Sequence, residues 1–228
     1  MITAFLPCRK GSQRIPDKNV KLFAGIDGGL LSIKLKQLLA CQKIDTIVVS
    51  SNDNRVLDFA SNITDSRIIV DDRPDHLGSS STTTDELIKY VPSIITEGHV
   101  LWTHVTSPFI NGSDYARIID LYSEKLEQSY DSLMTVLKLQ GFIWNKCKPI
   151  SYNRNNLKWP MTQDIEPFFE VDSGVFLSSI DNYKQLEDRI GNNPYLLVQE
   201  QLKSVDIDWP DDFTLAEKLW KMAHRHPV

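Results

Sequence analysis

Two segments at opposite ends of the chain carry the residue types that handle a polyphosphate. The first, PCRKGSQRIPDKN at residues 7–19, concentrates Arg9, Lys10, Arg14 and Lys18 in a protein whose formal net charge is −5. Guanidinium and ammonium groups gathered this closely converge on an anion, and phosphate oxygens accept well from them. Gly11 lets the backbone approach a ligand, while Ser12 adds a hydroxyl and an N–H donor. A solvated surface loop is the alternative that charge alone leaves open. The segment is not a Walker A loop, and Gly25, Gly28 and Gly29 do not form GxGxxG.

The second segment, SVDIDWPDDF at residues 204–213, supplies carboxylates. A strand ending at Val205–Asp208 would turn Asp206 and Asp208 to one face and Ile207 to the core. Side-by-side carboxylates repel unless a cation lies between them. Hard oxygen donors suit Mg²⁺, which would also take triphosphate oxygens and several waters. Complementing the N-terminus of a following helix accounts for Asp211 and Asp212 in its first turn, but it accounts poorly for Asp206.

Positioning these segments requires a regular scaffold, and the pattern between them is one of short β-rich runs alternating with amphipathic stretches. Strands are expected at Ile2–Leu6, Thr46–Ser50, Arg67–Val70, Val100–His104 and Ser132–Leu137, and again near Val171–Leu177. Leu31, Leu35, Leu38 and Leu39 fall at i, i+4, i+7 and i+8 on one helical face; further helices are expected at Asn54–Ser61, Thr84–Ile95, Ser113–Lys125 and near Ile180–Arg189. In a terminal helix, Leu215, Ala216, Leu219, Trp220 and Ala223 share a face, Pro210 suits the first turn, and Lys221 and Arg225 suit the dipole at its end. This is the βαβ rhythm of an α/β fold with a mostly parallel sheet covered on both faces.

From Lys138 to about Val171 the rhythm fails. Phe142, Trp144, Tyr152, Trp159, Phe168 and Phe169 mix with Pro149, Pro160 and Pro167 without helical spacing. So long a departure is functional or covered by a partner subunit. The 228 residues suit one domain with this excursion inserted at about 138–171, burying roughly 70% of the unfolded surface. The acidic balance excludes bulk attraction to nucleic acid or to an anionic membrane. Cys8, Cys41 and Cys147 form no CxxC pair, which argues against a disulfide framework or zinc knuckle and for a reducing cytoplasm. No run approaches the 18 or so apolar residues of a membrane span, and the apolar start is too brief for a signal sequence.

The basic segment closely resembles the nucleotide-binding loop of the acylneuraminate cytidylyltransferases, through Arg9, Gly11, Ser12, Pro16, Lys18 and Asn19. The resemblance spans nearly the whole chain. It implies a three-layer Rossmann-like nucleotidyltransferase fold and an enzyme that joins CTP to a sialic-acid-like, nine-carbon 2-keto sugar acid, releasing pyrophosphate. Arg9, Ser12, Lys18 and Asn19 would hold the CTP phosphates. Many members carry a basic residue directly after the serine; here Gln13 intervenes and Arg14 follows. RPDHL at 73–77 resembles the family's RPxxL element, making Arg73 a candidate for the cytosine or ribose. In the run Ser79–Thr84, Thr83 and Thr84 compete to meet the base, with helix capping by Thr83 as the alternative.

THVTSPF at 103–109 stands where the family reads LQPTSP, so His104 and Thr106 fall at the expected sugar site, His104 replacing a glutamine. A lone histidine at a strand end is more often structural than catalytic. TQDIEPFFEVDSG at 162–174 resembles the family's RTQDLEP…NG stretch, with Gln163 matched and Met161 where arginine is common. In relatives this region forms a dimerisation lobe and lends residues to the neighbouring sugar site, which implies a homodimer. The family's metal-binding Asp-x-Asp aligns with Asp206 and Asp208, implying Mg²⁺. Arg9, Lys18 and Asp208 are then the expected catalytic groups. The competing readings are a nucleotide-sugar-dependent glycosyltransferase, which also uses an Asp-x-Asp pair but usually mid-domain, and a non-catalytic homologue.

Overall fold

The structure, a computed structural model, describes residues 1–224; the expected role of Arg225 lies outside the described residues. Seven strands form one sheet in the order β3-β2-β1-β4-β6-β5-β7. They are β1 (Ile2–Pro7), β2 (Thr46–Ser51), β3 (Ile68–Asp72), β4 (His99–Thr103), β5 (Ser132–Leu139), β6 (Phe168–Ser179) and β7 (Pro194–Val198). Only β6 runs against its neighbours, pairing antiparallel with β4 and β5, so the sheet is mostly parallel. β1, flanked by β2 and β4, is apolar apart from the buried Thr3 because both its faces are covered.

The helices are α1 (Gly29–Ala40), α2 (Asn54–Ser61), α3 (Thr84–Ile94), α4 (Gly112–Glu127), α5 (Ile180–Gln185) and α6 (Pro210–Ala223). Alternation along the strands splits the core into two. Ala4 and Leu6 pack with Leu31, Leu35 and Leu38 of α1, with α4 and with Phe213 of α6. Phe5, Trp102 and Phe176 face the other way, toward Leu87, Ile88 and Val91 of α3 and Ile180 and Tyr183 of α5. Helices therefore cover both faces, giving three layers. α1 starts where it does because Gly29 adopts φ +52 with its α-carbon tight against the chain; a Cβ there would stand 2.0 Å from the Lys21 carbonyl oxygen.

One expectation needs correction, and one strand was not expected. Val205–Asp208 is not a strand: residues 201–204 turn, and 205–208 have no regular secondary structure and lie outside the sheet. The last strand is β7, which lies parallel to β5. Its short PYLLV run escaped notice because five residues without alternation give little periodic signal. The acidic arm is held instead by Ile207, fully buried, whose N–H donates to the Thr106 carbonyl at 3.0 Å. Asp206 and Asp208 still flank the buried Ile207, and both line the cavity described below.

The ribbon of β5 and β6 continues into the aromatic segment, pairing Val136 with Val171 and Leu139 with Phe168. Beyond it, residues 140–167 hold only a bridge between Trp144 and Pro149 and a 3-10 turn at Thr162–Asp164. Phe142, Tyr152 and Trp159 pack edge-on there, with the Arg154 guanidinium over Trp144 and Trp159. Trp144, Trp159, Met161, Phe168 and Phe169 remain exposed. Among the described residues, no helix is long and apolar enough to cross a membrane.

Candidate active site

A cavity of about 610 Å³ opens where β1 and β4 end, outside the carboxyl edge of the sheet. Its walls include Arg9, Ser12, Arg14, Lys18, Asn19, Arg73, Thr83, Thr84, His104, Thr106, Asp206 and Asp208. Residues expected from distant parts of the sequence are thus brought to one hollow. Gly11 does not line it: it sits at the exposed tip of the basic loop with φ +73. Gln163 does not line it either, but lies exposed in the aromatic segment, its side-chain amide 3.7 Å from the Met161 sulfur.

The basic loop leaves β1 and is folded back on itself. Ile15 is buried beneath it, the Asn19 side-chain amide donates to the Arg9 carbonyl at 3.1 Å, and the Lys10 N–H donates to Asn52 Oδ1 at 2.9 Å. Arg9 Nη1 reaches the Ser79 carbonyl at 3.1 Å, tying the loop to the Ser/Thr run. Lys18 joins the loop to the acidic arm: its Nζ donates to the Ile207 carbonyl at 2.6 Å and lies 3.5 Å from Asp208 Oδ1. Arg14 reinforces the junction, 3.1 Å from Asp208 Oδ2 and 4.6 Å above the Trp209 ring. Burial pulls the Lys18 ammonium below its ordinary range, against the opposing pull of Asp208 and Asp206.

The acids divide their duties. Asp212 Oδ2 accepts from the N–H groups of Asp208 and Trp209 at 3.1 and 2.8 Å, closing the start of α6. Asp208 is about half exposed and is paired with Arg14 and Lys18. Asp206 is different: its Oδ1 is buried and meets no donor. Burial raises its carboxyl above the ordinary range, and Asp208 adds to the effect while Thr106 and Lys18 oppose it. An orphaned carboxylate oxygen on the wall of this cavity, beside a second carboxylate, fits a divalent cation. No cluster of three or more His, Cys, Asp or Glu lies there among the described residues. The protein would give a Mg²⁺ ion only Asp206 and Asp208, leaving room for phosphate and water oxygens.

Across the cavity Arg73 is 3% exposed, and its Nε and Nη2 find no acceptor. Burial lowers its pKa. Thr83 caps α3, its hydroxyl oxygen accepting from the Glu86 N–H at 3.2 Å while Glu86 Oε2 takes the Thr83 N–H at 2.7 Å. Thr84 has no such commitment.

His104 has both nitrogens engaged. Only a donor can meet the Ser173 carbonyl, so Nδ1 carries the proton across 2.9 Å; Nε2 accepts from the Trp102 indole N–H, also at 2.9 Å. Burial drives its pKa down to about 4, against the pull of the Ser173 carbonyl. The ring is neutral and its tautomer fixed. Gln13, Ser80, Thr82, Trp102 and Ser173 also line the cavity and were not anticipated. Ser173 had a signal: Asp-Ser-Gly is turn chemistry, and Asp172 Oδ1 accepts the Gly174 N–H at 2.9 Å while Ser173 takes φ 59.

A mostly parallel sheet covered by helices on both faces, with a basic loop after its first strand lining the cavity at its carboxyl edge, is the three-layer Rossmann-like fold of the nucleotidyltransferases. Two solved structures share the fold at TM-score 0.67 and 14% identity. One is a CMP:2-keto-3-deoxy-manno-octonic acid synthetase complexed with CTP, covering 97% of this chain and 99% of that one. The other is the 4-diphosphocytidyl-2C-methyl-D-erythritol synthase of Anaerococcus prevotii, covering 96% of each. The cytidylyltransferase family profile matches residues 3–225, and the chain belongs to that family. It is a CTP-dependent transferase. The CMP-N,N'-diacetyllegionaminic acid synthase of Legionella pneumophila is 26% identical over 239 residues, spanning 97% of both chains. The N-acylneuraminate cytidylyltransferase of Escherichia coli is 23% identical over 243 residues, and this chain spans 54% of its length.

Proposed function

We propose that the chain activates a sialic-acid-like, nine-carbon 2-keto sugar acid, joining it to CTP to give a CMP-sugar and pyrophosphate. One observation carries the reading: Lys18, with 2.6 Å to the Ile207 carbonyl and 3.5 Å to Asp208, binds the basic loop and the acidic arm around a single cavity. The activities that name the Legionella and Escherichia relatives support the choice of sugar.

In this reading the anomeric hydroxyl attacks the α-phosphorus of CTP in line, and the bond to the departing pyrophosphate breaks. No covalent enzyme intermediate is required. Arg9, Ser12, Arg14, Lys18 and Asn19 hold the phosphates, with Gly11 giving the loop its turn; Arg9 and Lys18 balance the charge on the leaving group. Arg73 and Thr84 face the nucleoside. His104 and Thr106 border the sugar, and the engaged nitrogens of His104 exclude it as the proton acceptor. Asp206 and Asp208 would hold Mg²⁺, which supplies charge neutralisation at the phosphates when bound.

The exposed Trp144, Trp159, Phe168 and Phe169 support a homodimer formed through the aromatic segment, with Gln163 offered to the neighbouring site. Buried Cys8 and Cys41 and exposed Cys147, all free, suit the reducing cytoplasm. The test is pyrophosphate release from CTP and Mg²⁺ against a panel of nine- and eight-carbon 2-keto sugar acids. Release with at least one nine-carbon acid is expected. Failure with every acid, or release of UDP from a UDP-sugar instead, overturns the reading.

A further inference from the structure

Lys34 lies in α1, on no wall of the cavity, and is 0% exposed. An ammonium so placed is destabilising unless its donors are used. Burial pulls its pKa down to about 7, and the carboxylate of Asp114 acts on it only through space. Two of its donors are placed with care: Nζ donates to the Ser107 carbonyl and to the Tyr115 hydroxyl oxygen, each at 2.7 Å.

The direction of the next bonds is forced. The Gly174 carbonyl can only accept, so Thr103 Oγ1 donates to it at 2.7 Å. The Tyr115 hydroxyl proton must then go to Thr103 Oγ1, 2.9 Å away, leaving the Tyr115 oxygen to accept from Lys34. The bonds therefore run in one sense from the ammonium to the bulge of β6 at Ser173–Gly174, whose Ser173 carbonyl orients His104. On its other side Lys34 grips Ser107, one residue from Thr106, and the Thr106 carbonyl holds the acidic arm through the Ile207 N–H at 3.0 Å. Gln37, one helical turn along α1, grips the adjacent Pro108 carbonyl at 2.5 Å. Lys203, near the start of the arm, meets Asp114 at 2.5 Å.

We propose that Lys34 is a positioning residue for the sugar half of the reaction, fixing from within the core the turn at Thr106–Ser107 and the β6 bulge at Ser173–Gly174, between which the sugar acid is held. The inference rests on the function proposed above. It explains why a cation occupies a helix face otherwise built from leucine, and why the turn and the bulge that border His104 share one anchor.

Three variants test it: Lys34→Met keeps the length of the side chain and removes its donors, Tyr115→Phe cuts the path to Thr103 while sparing the bond to Ser107, and Leu35→Ala damages the same helix without touching either. For Lys34→Met, kcat/KM for the sugar acid should fall roughly 10- to 100-fold, the scale of a misplaced reactant, with the KM for CTP nearly unchanged. Tyr115→Phe should produce a smaller loss of the same kind, and the double variant less than the product of the two. Leu35→Ala should lower Tm and leave both kinetic constants at the wild-type value.

Hydrogen exchange in the ligand-free proteins gives a readout independent of turnover. Amides at 103–107 and 173–175 should exchange faster in Lys34→Met than in Leu35→Ala. Equal exchange in those segments, or equal losses for CTP and sugar, overturns the proposal. If Lys34→Met does not fold, Tyr115→Phe decides by the same measurements. Should the wild-type protein turn over no sugar acid, the function reading fails, while the exchange comparison still decides the role of Lys34.

Discussion

Replacing Arg73 by methionine should make the ligand-free protein more stable and the nucleotide complex weaker. The side chain is 3% exposed, and two of its nitrogens, Nε and Nη2, have no acceptor. An uncompensated buried cation is destabilising, and since replacing even a paired buried charge set with apolar side chains is neutral or gains up to about 1–4 kcal/mol, a gain within that range is expected here. For a chain of this length each kcal/mol raises Tm by about 2–4 °C. The opposite effect is expected once CTP is present. Losing one charge-assisted hydrogen bond removes about 1.5–3 kcal/mol, equivalent to roughly 10- to 150-fold in Kd. Thermal unfolding with and without CTP, together with calorimetric titration, reads both arms. A variant that melts lower than wild type without nucleotide and binds CTP equally well would refute the reasoning.

Asp208→Asn should cut turnover by roughly a hundredfold, on the scale of losing one electrostatic stabiliser, and an unchanged rate of pyrophosphate release contradicts its role. His104 is held near 4 in the native state against 6.5 for the free side chain, so between those values the unfolded chain binds a proton that the folded chain refuses. Stability therefore rises with pH through that window, and acidification from 6.5 to 4 removes up to about 3 kcal/mol, less for the part of the ring open to the cavity. His104→Gln should flatten this portion of the curve in urea unfolding at a series of pH values; a wild-type slope would contradict it. Trp159→Asp should convert a dimer to a monomer by light scattering, since Trp159 is 63% exposed in the isolated chain; a monomeric wild type speaks against the shared interface.

The parts of the fold that were legible are those in which one face of an element is buried and the other is not. Leu31, Leu35 and Leu38 repeat at helical spacing and all three are fully buried in α1. Position 34 shows the limit of that reading. A lysine beside an apolar face reads as solvent-facing, and its burial follows from Ser107 and Tyr115, which lie 73 and 81 residues away in sequence. The acidic arm shows a second limit. Alternation around Ile207 was readable, but it does not reveal whether the backbone joins a ladder, because a segment outside the sheet can present the same buried residue between two exposed to the cavity. In the aromatic segment the sequence lost its period because the ribbon leaves Phe168, Phe169 and Val171 exposed, so neither face is selected for burial.

The site was legible where charge runs against the composition of the chain. Arg9, Arg14 and Lys18 stand out in an acidic protein and all line the cavity, as do Asp206 and Asp208. Trp102 did not stand out, because a tryptophan in a strand reads as core, and its indole N–H toward His104 appears only when β4 meets the bulge of β6 at Ser173.

The central claim is that the basic loop and the acidic arm meet around one metal-bound triphosphate. Crystals grown with CTP and Mn²⁺ in place of Mg²⁺ test it through the anomalous signal of the manganese. One peak is expected within bonding distance of carboxylate oxygens from both Asp206 and Asp208 and of a phosphate oxygen, with Lys18 on the same triphosphate. A nucleotide bound with its phosphates away from these two aspartates, or a manganese peak elsewhere, would contradict the account.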